Sequence, residues 1–299
     1  MRIVVVGGAG HLGSALVALL GSDPRWSTVV IDKIRPTTPT GANIVLDALD
    51  SVELAAHLRS EDVVVHLAAL HGIHLEAGIA DWECWRANLH LTDSVTRACI
   101  ARRVHRLVFT SSTSVYGSGS DTGPARILDE VTTVAPEDVY DRAKLAAEAV
   151  VAAGADRLPG GTVCLRLGRF RFDDEETQEL RKLSTGLDLV DAVAAVSAAV
   201  TAQQIVQPVY VVASDVRMPP WGRRALGNDL EGTVQQFIPS LYRLSRLGHI
   251  RLPERIRKSV SSERFRQDFG WRPHRTVEAW ANQRLAQLLW ASMGDRKGG

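Results

Sequence analysis

The chain has 299 residues, 45% of them apolar, and its 35 basic and 34 acidic side chains leave a formal net charge of +1. That balance sets up no bulk field to attract nucleic acid or a membrane surface, and no run of about 18 apolar residues is present to span a bilayer. The length allows one large domain or two small ones with a sizeable core.

The first stretch, MRIVVVGGAGHLG over 1–13, carries an apolar run, Ile3 to Val6, into a glycine-rich turn and then a helical pattern from His11 to Leu20. A strand apolar at every position is buried on both faces, as in a parallel sheet covered by helices. The run is short, ends in glycines and lacks a cleavage-site pattern, so it reads as a strand and not a signal peptide. Gly7, Gly10 and Gly13 stand three apart. In a dinucleotide fingerprint the first permits a tight turn, the second lets backbone approach a pyrophosphate, and the third allows close helix packing. His11 and Leu12 then begin a helix whose unpaired N–H groups face that phosphate.

Thr28 to Ile31 is a second strand ending at Asp32. An acidic residue about 20 positions past the glycines is placed to accept hydrogen bonds from the adenosine ribose, which favours NAD. Lys33 and Arg35 follow it, and a basic side chain there could accept a 2′-phosphate, so NADP stays open. Asn43 to Leu46 reads as a third strand whose polar end, Asp47, either contacts the adenine or caps the following segment. Val63 to Leu67 is a fourth, closing in His66-Leu67-Ala68-Ala69, where small residues let backbone lie close to the cofactor. His71 and His74 come next. With His66 they lack the further ligands and spacing of a metal site, so no metal is expected, and His71 is a candidate substrate contact. Trp82 to Ala101 reads as a helix carrying Asn88. Cys84, Cys99 and Cys164 have neither metal nor disulfide spacing and are expected as buried reduced thiols of a cytoplasmic protein.

The chemistry gathers further on. Leu107 to Thr110 is a strand that runs into SSTSVYG at 111–117, and after a polar loop through Pro136 a helix opens in YDRAK at 140–144. Tyr140 and Lys144, four apart, share one helix face. A lysine ammonium beside the phenol is expected to lower its pKa and make Tyr140 an acid/base near neutral pH. A serine hydroxyl at the preceding strand end, with Thr113 and Ser114 beside it, is placed to hold a substrate oxygen.

These motifs resemble the extended short-chain dehydrogenase/reductases of the NAD-dependent epimerase/dehydratase group. The resemblance rests on GGAGHLG at 7–13, Asp32, Asp47, HLAA at 66–69, Asn88, SSTSVYG, YDRAK and FGWRP at 269–273. It implies an α/β fold, a Rossmann-type doubly wound parallel sheet with a small, mainly C-terminal substrate-binding lobe. By the same resemblance Ser112 orients the substrate oxygen, Tyr140 is the acid/base, Lys144 binds the nicotinamide ribose and tunes Tyr140, and Asn88 supports the site. Tyr116 is then a supporting or substrate-loop residue. Gly7, Gly10, His11, Leu12, Gly13, Asp32, Lys33, Asp47, Leu67, Ala68 and Ala69 join Tyr140 and Lys144 as expected cofactor contacts.

Val163 to Leu167 is a sixth strand. Arg169 stands where many nucleotide-sugar members carry an asparagine against the substrate diphosphate. Either it replaces that contact with a charge, or the substrate carries no diphosphate. The stretch ELRKLSTGLD at 179–188 is similar to uronate dehydrogenases, in which an arginine meets the substrate carboxylate, and Arg181 is the matching position. The alternative for Arg181 and Lys182 is a solvated basic face. Asp188 to Ala199 reads as a helix, Pro208 to Ala213 as a strand, 218–257 as short helices, Thr276 to Trp290 as an amphipathic helix, and 294–299 as a frayed tail.

The expected organisation is a dinucleotide-binding core over 1–168 completed by 186–213, a compact lobe from 169–185 and 214–275, and a terminal helix over 276–292. Two activities fit. One is epimerase or dehydratase chemistry on a sugar-like, nucleotide-linked substrate, and the other a dehydrogenase or ketoreductase with net cofactor turnover on a sugar acid or small carbonyl compound. Helices around Trp85–Arg103 and Tyr140–Ala153 resemble those that pair in dimers of the family, so a homodimer is expected.

Overall fold

The computed structural model describes residues 1–37, 41–118, 122–170, 174–214 and 216–294. Of the expected tail, 295–299 lies outside the described residues, as do 171–173 and 215 of the expected lobe. The first half runs β1 (Arg2–Val6), α1 (His11–Gly21), β2 (Ser27–Asp32), β3 (Ala42–Val45), α2 (Ser51–Ala56), β4 (Val63–His66), α3 (Gly72–Glu76), α4 (Asp81–Trp85), α5 (Leu91–Arg102), β5 (Arg106–Ser112), β6 (Arg126–Leu128) and α6 (Val139–Ala153). It continues with β7 (Thr162–Leu167), α7 (Glu175–Arg181), α8 (Leu189–Thr201), β8 (Val209–Val212), α9 (Pro220–Ala225), α10 (Leu230–Phe237), α11 (Pro239–Arg246), β9 (Lys258–Val260), α12 (Glu263–Phe269) and α13 (Val277–Gly294).

Among the described residues, seven strands form one sheet in the order β3-β2-β1-β4-β5-β7-β8, and every pairing in it is parallel. Alternation along each strand sends neighbouring side chains to opposite faces. Ile3 and Val5 pack with Leu16, Val17 and Leu20 of α1 and Ala192 and Val196 of α8. Val4 and Val6 pack with Leu54 of α2, Val95 and Ala98 of α5, and Ala147 and Val151 of α6. Both faces are therefore covered, which is why residues 3–6 of β1 and 63–65 of β4 are apolar at every position. The strand order reverses between β1 and β4, and the crevice outside their carboxyl ends is where open sheets of this kind take ligands.

Several local features depart from the sequence expectation, among them a strand, β6, inside the polar loop expected through Pro136. The helix expected over Trp82 to Ala101 is broken in pattern by a π-helical turn, Arg86–His90, between α4 and α5. Such turns are frequent at functional sites, and this one carries Asn88. The cap of α2 is Asp50, whose carboxylate accepts from Val52 and Glu53 N–H, and not Asp47.

A second, smaller core lies away from the sheet. Leu226, Leu230, Val234, Ile238, Leu241 and Leu244 of α9–α11 and the adjoining turns bury against Val277, Ala281 and Leu285 of α13. The two-stranded pair β6–β9 adjoins it, with Arg126 opposite Lys258. The FGWRP segment is tied to the start of α8: Trp271 Nε1 donates to the Asp191 carbonyl at 3.1 Å, and the Asp191 carboxylate accepts from His274 and Arg275 N–H at 2.8 and 2.9 Å. Its role here is to fasten the chain end to the sheet's helical layer. Lys182 is not part of a solvated face. It is 1% exposed and pairs with Glu179 at 2.5 Å and Asp188 at 3.7 Å.

Candidate functional site

The glycine loop is built for close approach. Gly7 has φ +88°, and a Cβ there would lie 2.4 Å from Ala68 N. A Cβ on Gly13 would lie 2.4 Å from the Gly7 carbonyl, so α1 can start this near β1 only without a side chain. At Gly10 the nearest atom to a Cβ would be 3.4 Å away, which leaves open space over the loop. Leu67 and Ala68 N–H both donate to the Val6 carbonyl, at 2.9 and 3.1 Å, and this bends the end of β4 across the loop.

Beside them is a cleft of about 290 Å³ lined by Gly7, Asp32, Lys33, Leu46, Ala68 and Leu91. Its apolar walls and acidic edge fit an adenosine, and the bare glycines beside it fit a pyrophosphate. Asp32 Oδ2 accepts from Ala9 N–H at 2.9 Å, and Oδ1 from Ile34 N–H at 3.2 Å. Lys33 pairs with Asp47 at 3.2 Å. Glu83 and Arg86, from α4 and the π-helical turn, also line the cleft. Nothing in the sequence singled them out, because it is tertiary packing that brings α4 and the π-helical turn to the cleft. A larger open groove of about 570 Å³ lies among Asn228, Glu231, Arg246 and Pro253 on the second core and holds none of the expected site residues.

The reactive side chains meet where β5 ends against α6. Asp138 caps α6 by accepting from Asp141 N–H at 2.8 Å, and this starts the helix so that Tyr140 and Lys144 both face inward, 9% and 2% exposed. Lys144 Nζ donates to the Thr110 carbonyl at 3.0 Å and lies 4.8 Å from the Phe109 ring centre and 5.9 Å from that of Tyr140. Burial pulls the lysine down to about 8. Burial also pushes the Tyr140 phenol well above its usual value, with the nearby Ser112 hydroxyl acting against it. Desolvation dominates the phenol, and the lowering expected from Lys144 does not emerge.

Ser112 ends β5, and its Oγ also accepts from Ser114 N–H at 3.1 Å. Thr113 is buried. The buried Ser114 hydroxyl lies beside the Asp141 carboxyl, which burial pushes up and this hydroxyl pulls down. The His71 ring is 6.2 Å from that of Tyr140, and His71 N–H donates to His74 Nδ1 at 2.9 Å. Arg169 and Arg181 are exposed, the first bridged to Gly186 and the second ending α7. Among the described residues no three His, Cys, Asp or Glu side chains gather as a metal-holding group. All three cysteines are buried and free.

Asn88 and His66 form a buried pair behind the site. Asn88 Nδ2 donates to the Leu70 and Cys84 carbonyls at 2.8 and 3.0 Å. The Thr92 hydroxyl gives its one proton to the Asn88 carbonyl at 2.6 Å, so at His66 Nε2, 3.0 Å away, it must accept. His66 is thereby the Nε2–H tautomer. Its pKa is lowered to about 3, by burial first and the Lys144 charge second. Folded His66 stays neutral while unfolded chain protonates below about 6.5, so its share of stability is full above that pH and drains away towards pH 3. Between pH 7 and 5 the loss is about 2 kcal/mol. Urea denaturation at both pH values is expected to show a fall larger by that amount in wild type than in His66→Gln, and equal falls would refute the assignment.

Set beside known proteins, residues 3–178 match the model of the NAD dependent epimerase/dehydratase family. An uncharacterized UDP-glucose epimerase, YtcB, of Bacillus subtilis is 27% identical over 162 residues, covering 50% of each chain. The match thus spans about half the length of that relative. An L-arabinose 1-dehydrogenase (NAD(P)(+)) of Haloferax volcanii is 29% identical over 189 residues, 60% of this chain and 71% of that one. Among solved structures, MoeE5 in complex with UDP-glucose and NAD superposes with a TM-score of 0.68 at 20% identity, over 97% of this chain and 99% of the other, a likeness of fold.

Proposed function

The chain belongs to the NAD-dependent epimerase/dehydratase family, and on that premise we propose that it is an NAD-dependent enzyme that interconverts a secondary alcohol and a ketone on a sugar-like, nucleotide-linked substrate. The observation that carries this reading is the convergence of Ser112, Tyr140 and Lys144 at the carboxyl edge of the sheet, next to the glycine-rich loop and its adenosine-sized cleft. Bound dinucleotide supplies the hydride chemistry at the reacting carbon. Ser112 Oγ holds the substrate oxygen in both oxidation states. With its phenol pushed up by burial, Tyr140 stands protonated at neutral pH and donates to the carbonyl oxygen during reduction. In the oxidising direction the phenol first releases its proton to solvent, and the phenolate, favoured by the Lys144 ammonium nearby, then takes the proton of the substrate hydroxyl. By the family likeness Lys144 would also bind the nicotinamide ribose, and Asn88 holds the strand-end loop through Leu70.

A second reading, a dehydrogenase or ketoreductase with net turnover on a sugar acid, is favoured by the exposed guanidinium groups of Arg169 and Arg181, which suit a carboxylate as well as a diphosphate. In either case we place a homodimer contact on the outer faces of α5 and α6, which lie side by side with Arg97, Ala149 and Ala153 exposed.

One preparation tests these points. Purified without added cofactor and then denatured, the protein is expected to release stoichiometric NAD, and nucleotide sugars should convert with no net change in nicotinamide absorbance. An empty protein that reduces added NAD with a uronic acid would replace the first reading by the second. Light scattering should give twice the chain mass of 32.6 kDa, and a monomer at micromolar concentration would remove the dimer.

A further inference from the structure

The acidic edge of the adenosine-sized cleft is more elaborate than a single carboxylate. Lys33 lines the cleft beside Asp32, but its ammonium lies 3.2 Å from Asp47 Oδ2, with the two side chains 58% and 45% exposed. The Asp47 carboxylate is itself held in place, because its Oδ1 accepts from Leu49 N–H at 3.1 Å. Asp32 is oriented by Ala9 and Ile34 N–H. Asp32, Lys33 and Asp47 together carry one net negative charge beside the cleft, the Lys33 ammonium is turned onto Asp47, and the Glu83 and Arg86 charges that also line the cleft cancel in sum.

From this arrangement we infer that Asp47 sets cofactor selectivity by holding the Lys33 ammonium on its own carboxylate and away from a phosphate carried on the adenosine ribose. The inference rests on the dinucleotide reading above and adds a selector to it. Asp32 alone disfavours a phosphorylated ribose by repulsion. A freed Lys33 would offset that repulsion, since an ammonium is a sound point-charge partner for phosphate. With Asp47 in place, a phosphorylated dinucleotide must first draw Lys33 out of an existing pair. That pair is half-exposed and hence weak, so the selection is graded and can be moved by one substitution. It is also sensitive to salt.

The test is a double-mutant cycle on the ratio Kd(NADP)/Kd(NAD), measured by calorimetry on the intact chain for wild type, Asp47→Asn, Lys33→Met and the double variant. Asp47→Asn is expected to lower the ratio roughly three- to fivefold at low salt, as fits a half-exposed charge pair. Lys33→Met should raise it. On the Lys33→Met background, Asp47→Asn should change it by about twofold or less, because no ammonium remains to be freed. A ratio that stays put in Asp47→Asn, or a shift that persists without Lys33, overturns the selector while leaving dinucleotide binding intact. A wild-type chain that binds neither dinucleotide overturns both the selector and the cofactor reading beneath it.

Discussion

Tyr140→Phe is expected to lower turnover by roughly 10²- to 10⁴-fold, the usual contribution of a positioned acid/base, with dinucleotide affinity within a few-fold of wild type. The substitution removes one oxygen from a side chain 9% exposed and leaves the ring that packs with Cys84 and Val139. Fold and cleft should therefore persist, and the loss should appear in kcat. Lys144 donates to the Thr110 carbonyl, not to the phenol, so its position does not depend on the missing hydroxyl. Steady-state kinetics with the substrate found for wild type, alongside NAD titration, provide the measurement. Near wild-type turnover would show that the proton moves through another group, and the proposed chemistry would then have to be abandoned.

Glu148→Ala is expected to destabilise the fold by about 3–5 kcal/mol, the cost of leaving a buried charge without its partner. Glu148 lies one turn beyond Lys144 on the same face of α6. Its carboxylate accepts from Arg166 Nε and Nη2 at 2.9 and 2.7 Å and from Ser111 Oγ at 2.5 Å. Arg166 Nη1 also donates to Tyr116 OH at 2.8 Å, and that hydroxyl donates to the Asp129 carbonyl at 2.7 Å. The chain of contacts joins β5, α6, β7 and the turn after Ser112, so its loss should loosen the site as well as the fold. Calorimetry should show a fall in Tm of about 5–8 °C for a chain of this size. Removing both charges in Glu148→Ala with Arg166→Met should recover much of the loss. A single variant as stable as wild type would show that water enters and solvates Arg166, and that the pair contributes little.

Tyr116 illustrates how the network sorts candidates. Two tyrosines follow the serine-rich strand end, and spacing to Lys144 separates them in sequence. In the fold Tyr116 is fully buried with its hydroxyl occupied by Arg166 and the Asp129 carbonyl, while Tyr140 has Ser112 beside it. Glu148 could have been found by extending the Tyr140–Lys144 face by four more residues. Arg166 could not, because a basic residue inside an apolar strand pattern carries no sign of which helix lies over it.

By itself the sequence determined the elements whose signal is local. The apolar runs of β1, β2, β4 and β7, the glycines at the β1–α1 turn and the i, i+4 spacing of Tyr140 and Lys144 depend on contacts within a few residues, so pattern suffices to read them. The tertiary structure alone decided the quantities set by desolvation and long-range pairing. Burial of the phenol overrides the pKa lowering that Lys144 was expected to bring about. Lys182 is drawn from an apparent basic face into a pair with Glu179. A π-helical turn interrupts the helix around Asn88, and Lys33 is turned onto Asp47 from a strand end 14 residues away in sequence. Each depends on how much water and which charge another segment brings, and no periodicity along one segment records that.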